Sequence, residues 1–129
     1  MRTAIIILLL LTQFSFLQAG TDYRKTGTFS NLFYHKESGD LLGYEIRIVY
    51  TKSGYQGTFQ ASEGEPDNLI LVRTITVDDN KVRFLIPGPS LSEGEFVGQI
   101  TSIGLTGTLT LRNGNQIPID LKRQRSYWD

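Results

Sequence analysis

His35 is the only histidine in the chain. Imidazole is the side chain whose ordinary pKa lets it give and take protons near neutral pH, so His35 is the first candidate for a general base. A base needs a partner. No serine-centred nucleophile elbow accompanies His35, and no second histidine makes a metal pair. Flanked by Lys36 and Glu37 at the end of an apolar run, it reads as a surface or turn residue. Carboxylates gather at Glu63, Glu65 and Asp67, at Asp78 and Asp79, and at Glu93 and Glu95. A calcium ion wants six to eight oxygens, yet none of these groups has the spacing of a calcium loop with its glycine and closing glutamate. Two carboxylates roughly 5 to 9 Å apart could cleave a glycoside. Their neighbours are turn-forming residues, and solvated turns are the usual home of such clusters. The chain has no cysteine, which removes every thiolate site and every disulfide. No catalytic residue, metal site or cofactor is assigned; a cofactor-free enzyme using His35 or a carboxylate pair is the third functional reading.

The most distinctive local sequence is the end, Leu121 to Asp129, which mixes Lys122, Arg123 and Arg125 with Tyr127 and the only tryptophan, Trp128. Basic and aromatic residues together can bind single-stranded nucleic acid. The whole chain, however, balances 13 basic against 13 acidic residues, which gives no electrostatic case for nucleic acid or an anionic membrane. Tyr127 and Trp128 are instead expected to fold back over one end of the domain and close it, because tryptophan is seldom left in water.

The elements that position these residues are strands. Phe96-Val97-Gly98-Gln99-Ile100 and Leu105-Thr106-Gly107-Thr108-Leu109 share one pattern: apolar, any, glycine, any, apolar. Side chains alternate along a strand, so the glycine lies on the apolar face. Tyr55-Gln56-Gly57-Thr58-Phe59 repeats the unit, and Thr26-Gly27-Thr28-Phe29 shortens it. Glycine weakens a strand unless something needs the room. A tightly curved barrel with a crowded interior needs it.

Met1–Ala19 reads as a secretory signal peptide. Arg2 is its positive start, Ala4 to Leu11 its apolar run, and Leu-Gln-Ala its cleavage site. Removing it takes away one basic residue and leaves about one net negative charge on Gly20–Asp129, a single domain expected to be secreted or periplasmic with no membrane span. Within that domain strands are expected over Lys25–His35, Leu41–Thr51, Tyr55–Ala61, Leu69–Val77, Lys81–Ile86, the two glycine units, and Gln116–Lys122. Asn113-Gly114 signals a type I′ hairpin turn. Nothing carries a helical apolar period outside the leader. The fold class is therefore all-β: a small antiparallel up-and-down barrel of about eight strands. A two-sheet sandwich is the runner-up. Outward positions such as Glu45, Arg47, Lys81, Arg83 and Arg112 are too polar for an outer-membrane barrel.

Two resemblances follow from these residues. Leu121-Lys122-Arg123 with Ser126-Tyr127-Trp128, after a Leu-Thr-Gly-Thr-Leu strand and an Asn-Gly turn, resembles the ends of small exported bacterial proteins, a likeness that implies export and no activity. Gly27-Thr28-Phe29 and Gly57-Thr58-Phe59 resemble the calycin-like barrels, avidin-like and lipocalin-like, whose ligands sit inside. The interior tryptophans of the former and the cysteines of the latter are absent, so no binding residue carries over.

The first functional reading is a non-catalytic exported binding module. A small apolar or amphipathic ligand would sit in the barrel interior or mouth, among Phe29, Phe33, Tyr44, Tyr55, Phe59, Phe96 and Trp128. The second is a protein-interaction or inhibitor domain of the cell envelope with a filled core and working loops at Glu63–Asn68 and Pro87–Glu93. An internal cavity separates the two.

Overall fold

Each alternating run of the chain is a strand in the computed structural model, which describes residues 24–129. The expected signal peptide, 1–19, lies outside the described residues. The strands are β1 (Gly27–Ser30), β2 (Phe33–His35), β3 (Asp40–Thr51), β4 (Gly54–Gly64), β5 (Ile70–Asp78), β6 (Lys81–Ile86), β7 (Gly94–Ile100), β8 (Gly104–Leu111) and β9 (Gln116–Arg123). From β2 to β9 each strand pairs antiparallel with the next in chain order. β1 then closes the ring. Phe29 pairs with Arg123 of β9 on one side, and with Ile46 of β3 on the other. The product is a closed antiparallel barrel of eight strands, with β2 as one extra short strand. No helix among the described residues is long and apolar enough to cross a membrane.

The first strand, expected as one piece, is two. β1 and β2 hold a common register on β3, with Ser30 opposite Glu45 and Phe33 opposite Leu42. Asn31 interrupts the ladder between them. Its backbone N–H donates to the Tyr44 carbonyl at 3.0 Å, while its side-chain Oδ1, not a backbone oxygen, accepts the Tyr44 N–H at 2.6 Å. The opposing Gly43, at φ +118°, makes room: an added Cβ would sit 2.5 Å from that Oδ1.

The repeated glycines face inward, as curvature requires. Gly98 and Gly107 pair directly across β7 and β8. A Cβ added to Gly98 would come 2.6 Å from Phe96 Cζ, and one added to Gly107 would come 2.8 Å from the same atom. The two glycines thus clear the space that the Phe96 ring fills. Phe29, Ile46, Ile48, Val72, Ile100 and Leu105 complete a continuous core in which each is almost wholly withdrawn from water. Burying such side chains is the main stabilising term of a fold without disulfides, about 1.5–3 kcal/mol each.

Two local expectations change. Asn113-Gly114 does turn the chain, but only Gly114 takes positive φ, +89°. Gly114 N–H donates to the Leu111 carbonyl and Leu111 N–H to that of Asn115, both at 2.8 Å. That is a three-residue loop with one left-handed residue, the alternative hairpin solution to a two-residue type I′ turn. Glu45, expected in water on the outer face, is buried, because the end of the chain lies over it.

Candidate functional site

The seven residues expected to line a ligand chamber do not converge. Phe29, Phe59 and Phe96 are buried inside, Tyr44 and Tyr55 are half-buried, and Phe33 and Trp128 are exposed on the outside, at 52 % and 53 %. Tyr44 stacks on Phe59 with centroids 5.9 Å apart, and Phe84 on Phe96 at 4.8 Å. Between Ile46, Phe59, Phe84, Phe96, Leu109 and their neighbours the remaining void measures about 10 Å³. Its walls are apolar throughout, so it offers a water molecule no partner. The interior is full.

Trp128 does not close an end of the barrel. The chain leaves β9 at Arg123 and turns along the outer wall. Gln124 Nε2 donates to the Ser30 carbonyl at 2.9 Å, and Tyr127 N–H donates to Glu45 Oε2 at 2.9 Å. Ser126 Oγ donates to the other oxygen of the same carboxylate. Trp128 Nε1–H donates to Gln60 Oε1 at 2.8 Å. The residue that covers Phe29 is Arg123, at the end of β9. Its guanidinium lies 4.7 Å over the Phe29 ring and donates to the Thr26 and Arg24 carbonyls, each at 2.6 Å. A planar cation that stacks and hydrogen-bonds at once fits that position better than an indole with one donor.

Three of the candidate catalytic groups, His35, Glu93 and Glu95, are engaged with different partners. His35 is exposed; its Nδ1 accepts the Ser38 N–H at 3.2 Å within its own turn. Glu95 pairs with Arg83 at 2.9 Å, and Glu93 with Arg112 at 3.6 Å. No cluster of metal-ligating side chains occurs among the described residues. Glu63 acts on Tyr44: burial, and then the Glu63 charge, raise the phenol above its ordinary pKa.

An apolar concavity lies on the outer wall. A groove of about 440 Å³ runs over β5, β6 and the start of β7, lined by Leu71, Arg73, Thr74, Leu85, Pro87 and Glu95, with Phe84 in its floor. Leu71 and Leu85 are exposed, at 52 % and 64 %. The groove exists because β5 and β6 separate. They pair only from Ile75–Phe84 to Asp78–Lys81. Upstream, β5 carries a bulge: Tyr55 pairs with Ile75 but Gly57 with Val72, so Gln56 faces both Arg73 and Thr74. The extra residue bends β5. It also shifts the inward set from Ile70 and Val72 to Ile75 and Val77. Continuing the β5–β6 register would bring Pro87 opposite Val72, where proline has no N–H to offer. This groove was not foreseen. The signal was the pair Arg73-Thr74, which breaks the alternation of an otherwise regular strand.

A closed, eight-stranded, all-β antiparallel barrel is the class of structure here, and it fits a calycin-like fold in general. Comparison with protein-family models, curated proteins and solved structures gives no match.

Proposed function

We propose that this protein is an exported, non-catalytic interaction module of the cell envelope that binds another polypeptide on its outer wall. One observation carries the reading: the interior is packed to a residual void of about 10 Å³, while an apolar concavity of about 440 Å³, with Leu71 and Leu85 exposed in it, lies outside. A chamber for a drug-sized ligand needs roughly 300–1,000 Å³, and making one here would cost the Phe84–Phe96 stack. Catalysis has little to support it, since His35, Glu93 and Glu95 each have a local structural partner.

A second reading keeps a small amphipathic ligand but moves it to the same groove, whose 440 Å³ falls within that range. Two screens on the purified protein separate them. One is a thermal-shift series with fatty acids, isoprenoids and peptidoglycan fragments. The other is selection from a displayed library of random peptides. A ligand at a hundred times its Kd stabilises by about 2.7 kcal/mol. We expect selected peptides that bind saturably and no amphiphile shift of that size. Amphiphile stabilisation with no peptide selected would overturn the interaction reading.

A further inference from the structure

The groove is more than an apolar depression, because one of its walls is a strand edge. Ile70, Leu71 and Val72 have β4 on one side, through Phe59, Thr58 and Gly57. On the other side no strand pairs with them or with Arg73 and Thr74, since β6 joins β5 only from Ile75 onward. At about 3.3 Å per residue these five residues present roughly 13 Å of strand that β6 does not cover. An edge of this kind is a template for another extended chain.

We propose that the β5 edge over Ile70–Thr74 receives an extended segment of a partner protein, which adds to the barrel as a further antiparallel or parallel strand and carries an acidic residue against Arg73. This rests on the interaction reading above and gives it a place and a ligand chemistry. Three features define the occupant. The backbone edge asks for an extended chain with free N–H and C=O groups. Leu71 on the edge, with Leu85 and Pro87 across the groove, asks for apolar side chains at alternate positions. The charge asks for a carboxylate: Arg83 in the same groove is already paired with Glu95 at 2.9 Å, whereas Arg73 has no carboxylate partner among the described residues. The incoming carboxylate therefore meets one unpaired cation. A basic segment would meet repulsion there, which is how a docking site selects against wrong partners. The bulge lies at Arg73-Thr74, where the β5–β6 ladder ends, and Arg73 lines the groove beside the edge that this leaves.

The probe is a displayed library of seven-residue peptides with apolar residues at alternate positions and all residue types between them. Selected peptides are then synthesised with single N-methyl groups at each position in turn. Strand addition predicts a period-two pattern: methylation at every second residue lowers affinity tenfold or more, and the intervening positions tolerate it. Amide hydrogen exchange on residues 20–129 should show protection of Leu71–Thr74 on peptide binding. Arg73→Glu should invert the preference, losing Asp- or Glu-bearing peptides and gaining Lys-bearing ones, and its unchanged circular dichroism would show that the fold survives. Peptides that bind with a flat methylation scan, or with protection at Glu45 and Gln60 instead, would overturn this site and leave the interaction reading standing. A library that yields no binder would overturn both. Concentration-dependent dimerisation with protection of the same β5 amides would overturn the partner, since a second copy would then occupy the edge.

Discussion

Phe84 and Phe96 lie side by side across β6 and β7, with ring centroids 4.8 Å apart and planes 23° from parallel. The pair fills the middle of the barrel, over the floor that Gly98 and Gly107 leave clear. Phe96→Ala should therefore cost about 3–5 kcal/mol of stability, read as a lower urea midpoint with an unchanged slope. It should also open a dry cavity that takes up benzene, as apolar voids of that size do. A Phe96→Ala chain with native stability would mean the ring is not packed as described.

Gly107 gives a complementary test. Its added Cβ would lie 2.6 Å from Gly98 Cα and 2.8 Å from Phe96 Cζ, and backbone cannot step aside. Gly107→Ala should destabilise by about 1–3 kcal/mol. Asn115→Ala is a fair control, because Asn115 lies in the exposed β8–β9 turn and should change stability by less than about 1 kcal/mol.

The tail along the outer wall reports on itself, since Trp128 is the only tryptophan. Ser126→Ala removes one of the two donors to the buried Glu45 carboxylate. That should cost about 1–3 kcal/mol and shift tryptophan emission to the red as the tail loosens. Gln60→Ala, which removes the acceptor of Trp128 Nε1–H, should shift the emission with a smaller loss. Identical spectra in wild type and both variants would contradict a docked tail.

Alkaline pH tests Tyr44. Burial, then Glu63, raise its pKa in the folded protein above the value of 10.0 it has in the open chain. The folded state therefore holds the phenol proton more tightly than the unfolded one. That contribution is fully present below about pH 10 and is lost as pH rises through the folded pKa. Tyr44→Phe should flatten the fall in Tm above pH 10, and Glu63→Gln should lessen it. An unchanged alkaline limb in Tyr44→Phe would contradict the assignment.

How far the sequence revealed this follows from what each signal depends on. Strand runs and turns were legible because alternation and Gly, Asn and Asp punctuation are local. The inward Gly98 and Gly107 were legible for the same reason. The break at Asn31 was not, because it depends on a side chain replacing a backbone acceptor for Tyr44, thirteen residues away. The open edge of β5 depends on what β6 does at Pro87, although Arg73-Thr74 marked the phase change. The tail was misplaced because the need to shelter an indole does not say where. Arg123, read only as a charge, is the residue that covers Phe29.

A barrel that is solid within can bind only from its wall, whereas a hollow one would bind inside. Methyl-labelled NMR of residues 20–129 titrated with decanoate decides between the two. Resonances of Ile46, Leu105, Leu109 and Ile119, which line the residual void, should stay fixed, while any response is confined to Leu71 and Leu85 on the outer groove. Saturable shifts of the four interior residues would show a ligand inside and contradict a solid barrel.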